Sequence, residues 1–236
     1  MTAAATLGTR STPQAGSARM LAHARVATVL RAGPGGPRTH VTTLRSDPPL
    51  ALRQTIATRP EPGVSTTPGI ARVSLTAAAA GPIGGDQYRL DVDVGAGSTL
   101  VLNEVSATLL LPSHDGAVSR SVIRIHVETA GTLIWLPGAV IAARRCDHLN
   151  EVQVELAEGA RLLMREEFLL GRHHEPCGRL RQQVRIRQAG RSLYRQDLDL
   201  GGPPRARPGW PRGTEPSGHS SSWTPRGTTL PRRCRS

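Results

Sequence analysis

The sequence predicts an all-β protein, a helicoidal stack of strand pairs (a β-solenoid or layered sandwich) with few short helices. Two observations carry that expectation. Apolar/polar alternation with a period of two residues runs into a small-residue turn and out into a second apolar run, and this unit recurs through the middle of the chain. Helical propensity is confined to Ala77–Ala80 and Ala139–Arg145, each too short to be stable alone.

The first copy is YRLDVDVGAGSTLVL, with Leu90, Val92 and Val94 before the turn at 95–97 and Leu100 and Leu102 after it. VIRIHVETAGTLIWLP follows, with Ile123, Ile125 and Val127 before Gly131, then Leu133 and Trp135. The third copy places Val152, Val154 and Leu156 before Gly159, and Leu162 and Met164 after it. The fourth sets Val184 and Ile186 before Gly190, then Leu193. Turn glycines 95, 131, 159 and 190 are 36, 28 and 31 residues apart, a spacing that suggests layers stacked at a period near ~30 residues, with glycine supplying positive φ where the paired strands join. Each strand buries about three aliphatic side chains worth roughly 1.5–3 kcal/mol apiece. One pair cannot offset its own ordering entropy, so several must stack. An ordinary antiparallel sandwich is the competing architecture.

Composition narrows the function. All 30 basic residues are arginine, which excludes chemistry that needs a lysine amine, such as a P-loop or a pyridoxal Schiff base. The net charge of +12 is unevenly placed: +7 in residues 1–60, −1 in 61–200 and +6 in 201–236. The patterned region is therefore neutral, and few aromatic residues are available to stack on bases, so nucleic acid is not the expected partner. No apolar run is long enough for a membrane helix and the opening residues lack a secretory core, which makes the cytoplasm the expected location. Cys146, Cys177 and Cys234 are too few and too scattered for a disulfide framework and suit a reducing compartment. Residues 1–19 read as a disordered leader, with Met1 or Met20 as the start, and a strand begins just after Met20. Residues 201–236, with seven prolines and six glycines, read as a disordered tail.

No nucleophile elbow, zincin motif or dinucleotide fingerprint is present, so no catalytic residue is assigned. His173, His174 and Cys177, with Glu175 between them, form the best candidate for a transient metal contact, because imidazole, thiolate and carboxylate together suit borderline divalent ions such as nickel, copper or zinc. Neighbouring histidines on extended chain point to opposite faces, so both join one site only if the loop turns back. Cys146, Asp147 and His148 form a second such group. Glu166 or Glu167 is expected to be buried against an arginine, Asp86 to accept local turn hydrogen bonds, and Trp135 to pack in the core.

Four fragments in order, GPIGGDQYRLDVDVGAGSTLVL, GTLIWLPGAVI, VELAEGARLLMREEFLLGR and GRSLYRQDLDL, resemble the UreD (UreH) urease accessory family in its actinobacterial form. The similarity covers about residues 70–200 and rests most on Gly84, Gly85 and Asp86, on Trp135 and Pro137, and on Gly171 and Arg172. It implies one all-β domain over 20–200 and a protein that is not itself an enzyme. In this family such a protein acts with UreF, the GTPase UreG and apo-urease subunits, in a heteromeric complex for which a dimer is a further expectation. It serves there as scaffold and metallochaperone, with nickel in transit through an internal passage and no permanently bound cofactor. The sequence departs from the family at Gly138 and Ala139, where an acidic residue is common, at Val105 and Leu109, where glutamine and lysine are frequent, and throughout the tail. The readings left beside it are a β-solenoid scaffold of iron–sulfur cluster assembly and a basic nucleic-acid-binding protein.

Overall fold

The computed structural model describes residues 19–56 and 69–201. The predicted leader and tail lie outside the described residues, except for Arg19 and Gly201. Strands β1 (Leu21–Arg31) and β2 (Arg38–Ser46) pair antiparallel, as do β3 (Leu50–Gln54) and β4 (Ala71–Ala77). Three coils follow. They are β5 (Gln87–Val94), β6 (Thr99–Glu104) and β7 (Thr108–Leu110); β8 (Ser119–Val127), β9 (Thr132–Leu136) and β10 (Val140–Ala142); and β11 (Asp147–Leu156), β12 (Arg161–Met164) and β13 (Phe168–Leu170). The antiparallel hairpin β14 (Arg179–Gln188) and β15 (Arg191–Leu200) ends the described chain.

The strands lie in three sheets: a seven-stranded sheet ordered β15-β14-β11-β8-β5-β1-β2, a five-stranded sheet β12-β9-β6-β4-β3 and a three-stranded sheet β13-β10-β7. Successive coils pair in parallel and in register. Val94 opposes Val127, Val127 opposes Leu156 and Leu156 opposes Gln188, offsets of 33, 29 and 32 residues. The chain is thus a three-faced solenoid, and the four recurring units are its successive passes.

Two parts of the sequence reading are corrected by this topology. In the first three units the strands joined at the glycine turn belong to different sheets and pair with the coils above and below; of the four units, the last alone, β14 and β15, forms a hairpin. The turn glycines also differ in purpose. Gly159 and Gly190 adopt positive φ (70° and 78°), but in the first two turns Gly97 and Ala130 do so instead (66° and 56°). Gly95 is required for space, since a Cβ there would sit 2.5 Å from the Thr28 carbonyl oxygen. The short helices are absent among the described residues: Ala77 ends β4, and 140–142 form β10, whose hydrogen bonds to β7 and β13 outweigh a weak helical preference.

The core lies between the seven- and five-stranded sheets. Val26, Val92, Val154 and Val184 face Val73, Leu102, Leu133 and Trp135 there. A smaller cluster of Leu110, Ala142, Cys146 and Leu180 lies under the three-stranded sheet. Outward positions of the large sheet carry cross-strand ion pairs, including Arg25 with Asp93, Arg120 with Glu151 and Arg185 with Asp197. Arginines of the neutral middle are thereby matched locally, each exposed pair contributing little alone.

Asp86 ties the first coil shut. It is buried, its Oδ1 accepts the Met20 N–H at 2.9 Å, and its Oδ2 accepts the Ile83 N–H at 2.9 Å and the Tyr88 hydroxyl at 3.3 Å. Burial, then the Asp86 charge, pushes the Tyr88 hydroxyl upward, so it remains a donor. The preceding Gly84 lies so close to the next loop that a Cβ would meet the Ala117 carbonyl oxygen at 2.4 Å. Asp86 therefore does more than the local turn role read from sequence: it fastens β1 to β5. Asp86→Ala strands two backbone donors and should destabilise the fold by about 2–4 kcal/mol, measured as a lower urea midpoint at unchanged slope.

Candidate functional site: a polar layer inside the stack

In-register stacking turns the strand alternation into columns, and one set of columns is polar. Tyr88 opposes Ser121, Ser121 opposes Asn150, and Asn150 opposes Gln182, all on the inward side of the large sheet. The next inward rung, Leu90–Ile123–Val152–Val184, is aliphatic. In the five-stranded sheet Leu100 and Leu102 precede Glu104, Leu133 and Trp135 precede Pro137, and Leu162 and Met164 precede Glu166. Continued alternation gives Glu104, Pro137 and Glu166 equivalent positions in successive coils. The Gln182 side-chain amide donates to Glu166, which joins the two polar sets across the interior.

Two adjoining cavities occupy this layer, of about 90 and 80 Å³, and both are lined by Glu104, Thr108, Ser121 and Ile123. Each exceeds several-fold the ~10–15 Å³ needed for one water. The second also meets Trp135, Pro137, His148, Asn150 and Glu166. On two of its lining residues a buried polar atom, Trp135 Nε1 and Asn150 Oδ1, has no hydrogen-bond partner, and neither has Gln182 Oε1 beside Glu166.

The charges here are unusual. Glu104 Oε2 accepts the Gly138 N–H at 3.0 Å, and burial pushes its carboxyl up to about 7 against that stabilising bond. Burial likewise raises Glu166, partly offset by Gln182. Neither carboxyl has a cationic partner among the described residues. His148 is 2% exposed, its Nδ1 lies 2.8 Å from Ser119 Oγ, and burial followed by the Arg181 charge brings it down to about 3, so the imidazole is neutral. The layer thus lines a space large enough for water with two carboxyls and a neutral imidazole, which do not converge on one point.

The residues singled out from sequence fall into different places. His173 and His174 are exposed on the loop after β13, their ring centroids 3.7 Å apart, because the chain turns back at His174 (φ 58°). Cys177 is disulfide-bonded, which corrects the free thiol read from sequence, and Glu175 is taken by the Arg172 guanidinium at 2.8 Å and by the Arg144 N–H. Among the described residues no three histidine, cysteine or acidic side chains converge as a metal site. The second group diverges: Cys146 is buried, with its thiol pushed up to about 11 by burial, Asp147 faces Arg181, and His148 points inward. Glu167 pairs with Arg165 at the surface, whereas the half-buried carboxyl, Glu166, meets Gln182 instead of the expected arginine. Trp135 packs in the core as expected; it also lines the second cavity, and its nitrogen is buried without a partner. Gly171 makes the turn (φ 86°) that lets Arg172 reach Glu175. Sequence reading missed the polar layer because it counted the aliphatic half of each alternation; the signal was the polar residue two places before or after it.

Glu104 gives the layer a pH signature. Its folded value of about 7 stands above the ordinary 4.5, so between those values the folded chain holds a proton that the unfolded chain has lost. Stability from this group is full below pH 4.5 and falls as pH rises through 7. Glu104→Gln should leave the thermal midpoint unchanged near pH 4 and raise stability at pH 8 by on the order of 2–3 kcal/mol, seen by melting both proteins across that range.

The UreD urease accessory protein family model matches residues 21–216. The chain is 42% identical over 165 residues to urease accessory protein UreD 1 of Saccharopolyspora erythraea, covering 70% of this chain and 62% of that protein. It is 37% identical over 193 residues to the UreD of Streptomyces coelicolor (82% of this chain, 72% of that protein) and 39% over 187 residues to that of Frankia alni (75% and 62%). The chain thus spans less than two thirds of the Saccharopolyspora and Frankia proteins' length. A family match across most of the chain, with relatives of this identity in several actinobacterial genera, decides the membership: the chain belongs to the UreD family of urease accessory proteins.

Proposed function

We propose that this chain is a cytoplasmic, non-catalytic scaffold that acts with UreF and the GTPase UreG to deliver nickel to apo-urease during active-site maturation. In this reading the polar layer is the ion's route. The observation that carries it is the pair of half-buried carboxyls, Glu104 and Glu166, which have no cationic partner among the described residues and lie beside unpartnered polar atoms. Burying a carboxyl without a partner is unfavourable, and a hydrated divalent ion is the cargo that such groups favour. Neutral His148 adds a nitrogen donor of the kind nickel accepts, and Ser119 fixes its orientation. Near neutral pH the Glu104 proton is readily exchanged for a cation, so entry and release need not be strongly bound steps. His173 and His174 offer a surface contact for nickel, to which Cys177 contributes only when its disulfide is reduced.

Two measurements test this reading. Co-expressed with UreF, UreG and urease subunits, the chain should co-purify with the accessory proteins; a chain that remains alone would overturn the scaffold role. Replacing Glu104 and Glu166 together by leucine should leave co-purification intact and lower the nickel content of urease several-fold, whereas unchanged loading removes the layer from the route. For the surface contact, calorimetric nickel titration should lose heat on His173→Ala/His174→Ala, with a further change on Cys177→Ala only under reducing conditions.

A further inference from the structure

The third corner of the solenoid is a pile of loops, 78–86, 111–118, 143–146 and 171–178, held by hydrogen bonds such as Gly84 N–H to Leu111 O and Ala143 N–H to Leu110 O. Its acids are already occupied. Asp115 pairs with Arg19, and Glu175 with Arg172. The exposed side chains of Arg144 and Arg145 have no ion-pair partner among the described residues. Arg145 also sits at φ 66°, a left-handed backbone in which glycine or asparagine is expected and a long side chain is strained. His174 on the same corner is a second non-glycine residue at positive φ. Such outliers persist where the side chain has a use beyond the turn.

We infer that the Arg144–Arg145 corner is a docking surface for a short acidic segment of a protein partner. The charge argues for that occupant. Two unmatched guanidiniums suit a few carboxylates bound through paired N–H donors, whereas a nucleic acid needs a longer basic track and stacking rings, and tryptophan, tyrosine and phenylalanine are missing from these loops. The chain's own segment 201–236 is basic, at +6, and would be repelled. The surface is independent of the nickel route, because neither arginine lines the cavities.

The test uses the full chain and a short poly-L-glutamate peptide, with a single-stranded oligonucleotide of equal length in parallel. Arg144→Ala/Arg145→Ala should weaken peptide binding at least about five-fold, the size of two exposed ion pairs. A control pair, Arg31→Ala/Arg191→Ala, removes the same charge elsewhere and should leave affinity within two-fold. Arg145→Gly should weaken binding while leaving the melting midpoint equal or higher, since glycine relieves the backbone. Equal loss in the control pair, tighter binding of the oligonucleotide, or a lower midpoint for Arg145→Gly would each overturn the assignment.

Discussion

Parallel, in-register pairing of successive coils is the constraint from which the rest of this structure follows. Because Val94, Val127 and Leu156 must superpose, every inward position becomes a column whose character is shared by all coils. An aliphatic column buries its surface continuously and supplies the core. A polar column cannot be diluted among apolar neighbours, since its members lie one strand spacing apart. Tyr88, Ser121, Asn150 and Gln182 therefore accumulate into a layer, and cavities open where that layer meets Glu104 and Glu166.

The same constraint sends irregularity to the corners. Coil offsets of 33, 29 and 32 residues cannot differ within paired strands, so the excess is taken up by loops. The third corner absorbs most of it, passing from eight residues between β7 and β8 to four between β10 and β11 and eight again before β14. A four-residue connection must turn sharply, which is why Arg145 takes positive φ between Ala143 and the buried Cys146. Interior columns and corner loops thus divide the chemistry: fixed groups inside, exchangeable contacts outside.

Much of this was legible in the sequence because alternation reports burial directly. The strands β5, β8 and β11 fall on the apolar triads and β14 on the pair Val184 and Ile186, and the unit period approximates the coil length. Pairing direction was not legible, since a glycine turn between two apolar runs looks alike whether the runs pair with each other or with copies of themselves. The three-residue strands β7, β10 and β13 escaped because ladders on both sides, not their own composition, hold them extended. Of the candidate site, the exposed histidines were visible as residue types, but Glu104 and Glu166 were not. Each is a single acid beyond an aliphatic run, and only the register shows that both continue an inward column.

The interior groups also balance one another in a way that single residues conceal. Glu104 favours the fold when protonated, so its contribution fades as pH climbs from 4.5 through about 7. His148 favours the fold when neutral, and its contribution is lost as pH falls from 6.5 through about 3. The two dependences oppose each other across the mildly acidic range. An interior that holds a neutral imidazole and a carboxyl near half-protonation carries less charge near neutral pH than ordinary values for the two groups would give it. That combination reconciles a polar layer with a stable stack: a raised Glu104 carboxyl beside a neutral imidazole leaves less uncompensated charge in the interior than two ionised groups would.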